Sequence, residues 1–224
     1  MSDILMVFDC DGVLVDSEPL AAEAYVEVYR RHGLQIGPEA VAACVGLKQG
    51  DIIAKIGADT GQHLPAAGTD DIWPVTRALF TEQLQPMPAL SDFLRRLASA
   101  RCVASSSSLE RIHHSLAVTQ LAPLLGDGIF SSSMVARGKP APDLFEHAAR
   151  EMGFAPEKCI VIEDSPFGIE GAVAAGMTAI GFTAGSHSYP GHAAALSAAG
   201  AHVVCDSFSA VERHLASIGV AAFA

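Results

Sequence analysis

Ile4-Leu5-Met6-Val7-Phe8 is apolar at every position and runs directly into Asp9-Cys10-Asp11-Gly12. A strand with no polar face has to be covered on both sides, which is the condition of a strand inside a parallel α/β sheet. Short apolar runs of the same kind recur at Cys102-Val103-Ala104, Gly128-Ile129-Phe130, Cys159-Ile160-Val161-Ile162, Thr178-Ala179-Ile180-Gly181 and His202-Val203-Val204-Cys205. Helical spacing lies between them. Leu90, Phe93, Leu94 and Leu97 fall at i, i+3, i+4 and i+7, and Phe145, Ala148, Ala149 and Met152 repeat the pattern. The expected fold class is α/β, a Rossmann-like doubly wound parallel sheet with helices on both faces.

One segment does not alternate. From about Leu20 to Leu84 there are helical patterns and no convincing strand. Tyr25, Val28, Tyr29 and His32 share a face, with Gly33 as a stop. Pro38 can open a second helix. Ile52, Ile53 and Ile56 mark a third, with Asp51 or Gly50 near its cap. Val75, Leu79 and Phe80 mark a fourth, expected to begin after Pro74. The economical reading is a helical-bundle cap domain (17–86) inserted into an α/β core formed by 1–16 and 87–224.

A chain of 224 residues suits one large domain or a core with a smaller insertion. The formal net charge of −11 disfavours nucleic acid or an anionic membrane surface as a partner, but leaves room for a small anionic substrate at a local positive site. The five cysteines form no CxxC pair and mostly sit in or beside apolar runs, so free buried thiols and a cytoplasmic location are expected. Asp3 stands where a signal peptide would be positive, and no apolar stretch approaches the roughly 20 residues of a membrane span. A monomer is the default expectation.

Four polar clusters stand at or just beyond the expected strand ends: Asp9/Asp11, Ser105 to Ser108, Lys139 in Gly138-Lys139-Pro140-Ala141-Pro142-Asp143, and Glu163-Asp164-Ser165. In a parallel sheet these ends share one rim, where ligands bind. Charge there needs a partner or a metal. Carboxylates from two strands suit Mg²⁺, a lysine offsets carboxylate and phosphate charge, and serine hydroxyls and backbone N–H groups can hold phosphoryl oxygens.

The order Asp-x-Asp-Gly-x-Leu-x-Asp-Ser-Glu (Asp9 to Glu18), then a hydroxyl after strand two, then Lys-Pro-x-Pro-Asp, then Glu-Asp-Ser-x-x-Gly, resembles the haloacid dehalogenase superfamily in its phosphatase and phosphomutase branch. The match spans nearly the whole chain, and that branch carries a helical cap just after its first motif. The resemblance implies Asp9 as nucleophile, forming an aspartyl-phosphate. It implies Asp11 as the acid that protonates the leaving oxygen and the base that then activates water. Asp9, the backbone carbonyl of Asp11, and Asp164 would ligate Mg²⁺, with Glu163 assisting directly or through water. Ser105 would hold a phosphoryl oxygen beside the Ser106 N–H, with Ser107 the less favoured hydroxyl. Lys139 would neutralise the phosphoryl group and orient Asp9.

Specificity is expected from the loop Val45 to Gly50, where the branch lowers a substrate-reading loop onto the core, with Lys48 facing a second anionic or hydroxyl-rich part of the substrate. The rival within the branch is a phosphomutase of the β-phosphoglucomutase type, which places a histidine and an arginine where Ala21 and Gln49 stand here. The loop and the first motif look closer to bacterial sugar-phosphate phosphatases, including the 6-phosphogluconate phosphatases. Dehalogenases lack the second aspartate. A phosphoaspartate receiver needs neither the insertion nor the length, and a catalytically silent metabolite-binding protein would not keep every reactive side chain. The other polar residues have plainer expected roles. Asp16 and Glu18 cap the first cap helix, Ser108 caps the helix of Ile112 and Leu116, and Arg137 is a surface charge. His113-His114 lies on a solvated face, and His187 and His192 lack a third ligand for zinc.

Overall fold

The computed structural model describes residues 3–220 and 222–223. Six parallel strands form one sheet: β1 (Leu5–Phe8), β2 (Ala100–Ser105), β3 (Ile129–Ser131), β4 (Cys159–Glu163), β5 (Thr178–Phe182) and β6 (Val203–Cys205), in the order β3-β2-β1-β4-β5-β6. The order reverses beside β1, which pairs with β2 on one side and β4 on the other. Phe8 is in register with both Val103 and Ile162. The strand ends after β1, β2 and β4 therefore meet at a topological switch point, where a crevice opens.

Side chains alternate across the sheet and divide into two apolar clusters. Met6, Phe8, Val103, Ile160 and Ile162 face one way, and Leu5, Val7, Cys102, Ala104 and Val161 the other. Between β1 and β2 the chain forms α1 (Glu18–Arg31), α2 (Pro38–Ala42), α3 (Gln49–Thr60), α4 (Ala66–Gln83) and α5 (Leu90–Arg96). The first face is covered by α5, by α6 (Leu109–Val118) and α7 (Ala122–Leu125), and by α11 (Phe208–Ser217). The second is covered by α8 (Asp143–Met152), α9 (Pro166–Ala174) and α10 (His192–Ala198).

The helices α1 to α4 have their own buried cluster, in which Tyr25, Val28, Tyr29, Val41, Ile56 and Ile72 meet. The segment leaves and rejoins the sheet domain at one place. Asp16 N–H donates to the Gln85 carbonyl at 3.1 Å, and Met87 N–H donates to the Leu14 carbonyl at 2.9 Å. Between them Val15 bridges Pro86 in antiparallel sense. All five cysteines are free and buried. No described helix is long and apolar enough to cross a membrane.

Two boundaries differ from the sequence-based expectation, those of β2 and α4. β2 begins at Ala100, earlier than the apolar run, because Arg101 satisfies its guanidinium on the Leu94 and Leu97 carbonyls (2.5 and 2.8 Å) and so fits a strand without belonging to an apolar pattern. The cap of α3 is Lys48 itself, with Gly50 and Asp51 near it in the first turn, and the Lys48 carbonyl accepts the Asp51 and Ile52 N–H groups (2.9 and 3.0 Å). α4 starts at Ala66, and Pro74 lies within it instead of before it. Asp70 and Pro74 both sit on the exposed side, so the carbonyl that loses its partner at the proline faces water.

Candidate active site

The rim at the switch point collects the expected residues. Asp9 follows β1 and is tied to β4 by its N–H to the Ile162 carbonyl (3.1 Å). Ser105 ends β2, Glu163 ends β4, and Asp164 is the next residue. Lys139 comes from the loop after β3. Its side chain is fully buried over the Phe145 ring, with Nζ 5.2 Å from the ring centroid. Its Nζ donates to Asp9 Oδ1 at 2.6 Å and to Glu163 Oε1. Burial alone would discharge this ammonium, but the two carboxylates outweigh it and push its pKa up, so it stays a cation.

Asp9, Glu163 and Asp164 each bring a carboxylate oxygen within 4.8 Å of the others. Glu163 is fully engaged, with Oε1 on Lys139 and Oε2 accepting the Ser165 N–H (2.9 Å) and hydroxyl (3.2 Å). Asp164 Oδ2 is buried with no hydrogen-bond partner. His187 Nε2 lies 3.0 Å from it, but without the alignment of a hydrogen bond. Burial raises the Asp9 carboxyl well above the usual range; Lys139 opposes this, and the neighbouring carboxylates add to it. Asp164 is raised likewise, by burial and then by Glu163. A buried group of hard oxygen donors, crowded with like charge and holding an unspent lone pair, fits a hard divalent cation. The Asp11 carboxylate is not in that group. Gly12 makes the arrangement possible: its φ is +77°, and a Cβ there would fall 1.8 Å from Asp164 Oδ2.

Asp11 has separate partners. Its Oδ1 accepts from the Ser17 hydroxyl (2.6 Å) and from Arg111 Nη2 (2.8 Å), and its Oδ2 accepts from the Ser107 hydroxyl (2.6 Å). Burial pushes this carboxyl up, but Arg111 and the three donated hydrogen bonds prevail and hold it below the usual range. Arg111 and Ser17 were not among the expected site residues. The available signal was a cation in the first turn of a helix that follows a rim strand, a place where the helix dipole disfavours positive charge.

The serine run divides its labour. Ser105 is buried, and its hydroxyl accepts the Ser107 N–H at 3.1 Å. The Ser106 hydroxyl donates to the Gly46 carbonyl in the loop before α3 (2.7 Å), which joins the helical segment to the rim. Ser108 caps α6 as expected, accepting from the Arg111 N–H.

Asp16 and Glu18 do not cap α1. Ser17 holds the cap position without a side-chain capping bond, because Asp11 takes its hydroxyl. Asp16 instead accepts the Ser186 N–H and hydroxyl (3.0 and 2.9 Å). Glu18 lines the cavity at the rim, where burial, reinforced by Asp11 and Asp164, pushes its carboxyl up to about 8.

That cavity encloses about 40 Å³ between Asp9, Asp11, Glu18, Tyr25, Ser105 and Arg111. By the usual measure this holds about three waters, or one group the size of a phosphoryl. It continues into a groove of about 420 Å³ with a mixed lining that includes Lys48, Gln49, Ile72, Trp73 and Ser108. Lys48 thus lies on the outer groove and not beside the carboxylates; its Nζ is 3.9 Å from Asp51. Ala21 lines the inner cavity, and Gln49 spends its amide on the Thr69 carbonyl (3.0 Å).

His187 and His192 gather at Asp164, with His192 Nε2 2.7 Å from the Asp164 carbonyl. Among the described residues neither joins a metal-capable cluster of three. His114 is half-buried on a face that still meets solvent. It packs edge-on to Trp73 at 5.7 Å and meets the Thr81 hydroxyl at 3.1 Å, while His113 is exposed. Arg137 is an exposed charge paired with Asp143 (2.7 Å).

The family model for haloacid dehalogenase-like hydrolases matches residues 5–176. A 6-phosphogluconate phosphatase of Escherichia coli is 31% identical over 185 residues, covering 82% of this chain and 84% of its own. A fructose-1-phosphate phosphatase of the same organism is 32% identical over 183 residues, covering 78% and 94%. Among solved structures, a haloacid dehalogenase-like protein of unknown function from Agrobacterium tumefaciens superposes with a TM-score of 0.82 at 34% identity, covering 96% of this chain and 98% of its own. A family hydrolase from Deinococcus radiodurans, solved with bound phosphate and sodium, gives 0.78 at 33% identity, covering 100% and 99%.

Proposed function

The chain belongs to the haloacid dehalogenase-like hydrolases and is an enzyme, and we propose that it is a Mg²⁺-dependent phosphatase acting on a small phosphorylated metabolite of the sugar-phosphate class. In this reading residues 17–86 form a cap over a core made of 1–16 and 87–224. The observation that carries the proposal is the separation of the two aspartates. Asp9 shares Lys139 with Glu163 beside Asp164, whereas Asp11 is held 2.6–2.8 Å from Ser17, Ser107 and Arg111.

A carboxylate of Asp9 attacks phosphorus, an Asp9 oxygen–phosphorus bond forms, and the ester oxygen departs with a proton from Asp11, which is ionised beside Arg111 in the free protein and has to take that proton up when the substrate binds. Water then attacks phosphorus, Asp11 takes its proton, the aspartyl-phosphate bond breaks, and inorganic phosphate leaves. Asp9, Asp164, the Asp11 carbonyl and, directly or through water, Glu163 would hold the metal. When bound it neutralises charge on the transferring phosphoryl group. Lys139 fixes the rotation of the Asp9 carboxylate and adds positive charge beside the phosphoryl oxygens. The Ser105 hydroxyl and the Ser106 N–H receive those oxygens at the end of β2. The groove that holds Lys48 and Gln49 takes the hydroxyl-rich leaving half. The curated relatives named for 6-phosphogluconate and fructose 1-phosphate support a sugar phosphate as substrate.

Hydrolysis is favoured over mutase chemistry because Ala21 and Gln49 offer neither the histidine nor the arginine of the mutase pattern. Every group in the scheme comes from one chain, in keeping with a monomer. The net charge of −11 argues against nucleic acid as substrate, and five free thiols are in keeping with a reducing cytoplasm.

Phosphate release from p-nitrophenyl phosphate tests the chemistry. Asp9→Asn should abolish it, and EDTA should do the same to the wild type; full activity in either case refutes the scheme. A panel of sugar phosphates, phosphoglycolate and nucleotides then ranks substrates. Isomerisation of a hexose 1-phosphate faster than phosphate release would make the enzyme a mutase.

A further inference from the structure

Two cations serve the rim, Lys139 fully buried and Arg111 largely so, and they serve different carboxylates. Lys139 is committed to Asp9 and Glu163. Asp11 has Arg111, whose Nη2 lies 2.8 Å from Oδ1. The arginine is placed against the preference of its own helix end, in the first turn of α6. It is nonetheless fixed there by several contacts. Its backbone N–H is capped by the Ser108 hydroxyl (3.3 Å), and its guanidinium lies 5.0 Å from the centroid of Phe80 in α4. Nε is buried without a hydrogen-bond partner. An arginine needed only for packing would not hold a donor unspent in a buried place, where that costs stability.

We propose that Arg111 is a positioning residue for Asp11, setting where the carboxyl stands when the leaving oxygen departs. The inference rests on the proton-handling role proposed for Asp11. Oδ1 receives Ser17 and Arg111, and Oδ2 receives Ser107. The two hydroxyls rotate about their C–O bonds and follow the carboxyl if it moves. A guanidinium is rigid, planar and donor-only, so it defines a direction. Without Arg111, Asp11 would face Asp9, Glu18 and Asp164 around the same cavity with no cation of its own. Repulsion would then turn it away from them.

The effect should depend on the leaving group. An alkoxide needs its proton as the bond breaks, whereas nitrophenolate leaves readily without one. Single-turnover release of glycerol from glycerol phosphate and of nitrophenol from p-nitrophenyl phosphate, which reads the first step alone and not the water step that also needs Asp11, is to be compared for the wild type, R111Q, R111K and D11N, with thermal melts to verify folding. R111Q is expected to lose on the order of 10- to 100-fold on glycerol phosphate and less than about 3-fold on the nitrophenyl ester. R111K should retain more of the alkyl rate than R111Q, and D11N should show the same selectivity more steeply. Equal losses on both esters in R111Q, beside a selective D11N, overturn the positioning role. An unselective D11N overturns the role of Asp11 itself, and that of Arg111 with it. Should R111Q fail to fold, R111K decides alone, since a selective loss supports the proposal and a uniform one overturns it.

Discussion

Lys139→Met is the most searching single substitution, because it removes a charge and leaves the shape nearly intact. Nζ sits 2.6 Å from Asp9 Oδ1, also contacts Glu163, and is fully buried. At an effective dielectric of about 20, a unit pair at that distance attracts by about 6 kcal/mol, from which desolvation must be subtracted. Breaking a buried pair by removing one partner costs about 3–5 kcal/mol, because the other charge is stranded. The methionine keeps the aliphatic stem over Phe145, so packing changes little. In a domain of this size about 1 kcal/mol moves the melting temperature by roughly 2–4 °C. A drop of roughly 6–20 °C is therefore expected in EDTA near neutral pH. The loss should shrink as pH falls, because the stranded Asp9 carboxylate, already raised by burial, can then neutralise by taking a proton. Mg²⁺ should also stabilise the variant more than the wild type, by replacing the missing positive charge. At a metal concentration 100 times the dissociation constant, binding contributes about 2.7 kcal/mol. Phosphatase activity should fall on the order of 10²- to 10³-fold. Differential scanning calorimetry in EDTA and in Mg²⁺, at two pH values, reads all of this except the rate. A variant that melts with the wild type in EDTA would refute the view that Lys139 neutralises a crowded carboxylate site.

Two further substitutions probe the rim. Glu18 titrates at about 8 in the folded protein and near 4.5 when unfolded, so the native state binds its proton more tightly. Its contribution is fully present below the unfolded value and is lost as pH rises towards about 8. Urea melts in EDTA should show a decline in stability over that window for the wild type and a smaller one for Glu18→Gln; identical slopes would remove Glu18 as the source. Gly12→Ala should cost about 1–2 kcal/mol for a left-handed backbone and displace Asp164, weakening Mg²⁺ binding by at least about tenfold. Isothermal titration showing wild-type affinity would mean that Asp164 is not the ligand Gly12 makes room for.

The strands were legible because a buried parallel strand has no polar face to disguise it, so β1 and β4 stand out as unbroken apolar runs. Arg101 hid the start of β2, since a side chain that satisfies itself on nearby carbonyls interrupts the pattern without interrupting the strand. Pro74 misled for a related reason: the rule against proline inside a helix weakens where the orphaned carbonyl is hydrated. At the site, Asp9, Glu163, Asp164 and Lys139 were legible as charges at strand ends, with no structural use of their own. Arg111 was not, because its purpose lies with a residue 100 positions away in the chain. Asp16 and Glu18 were read as helix-capping chemistry because local sequence carries no sign of which way a helix's first turn faces.

The seam where the helical segment joins the sheet is narrow. The chain departs at Asp16 and returns at Gln85, and one backbone hydrogen bond of 3.1 Å closes the gap between the two crossings. An insertion whose ends already touch imposes no new distance on the strands that carry it. Changes within it can therefore accumulate, or the whole segment be exchanged, without altering where Asp9, Lys139 and Asp164 stand. In the proposed reading selectivity can change with the segment while those three residues stay in place, and Ser17 on Asp11 and Phe80 on Arg111 are among the ties that any exchange has to keep. Among relatives that share the rim, the substrate would be free to drift as fast as the segment between residues 17 and 86.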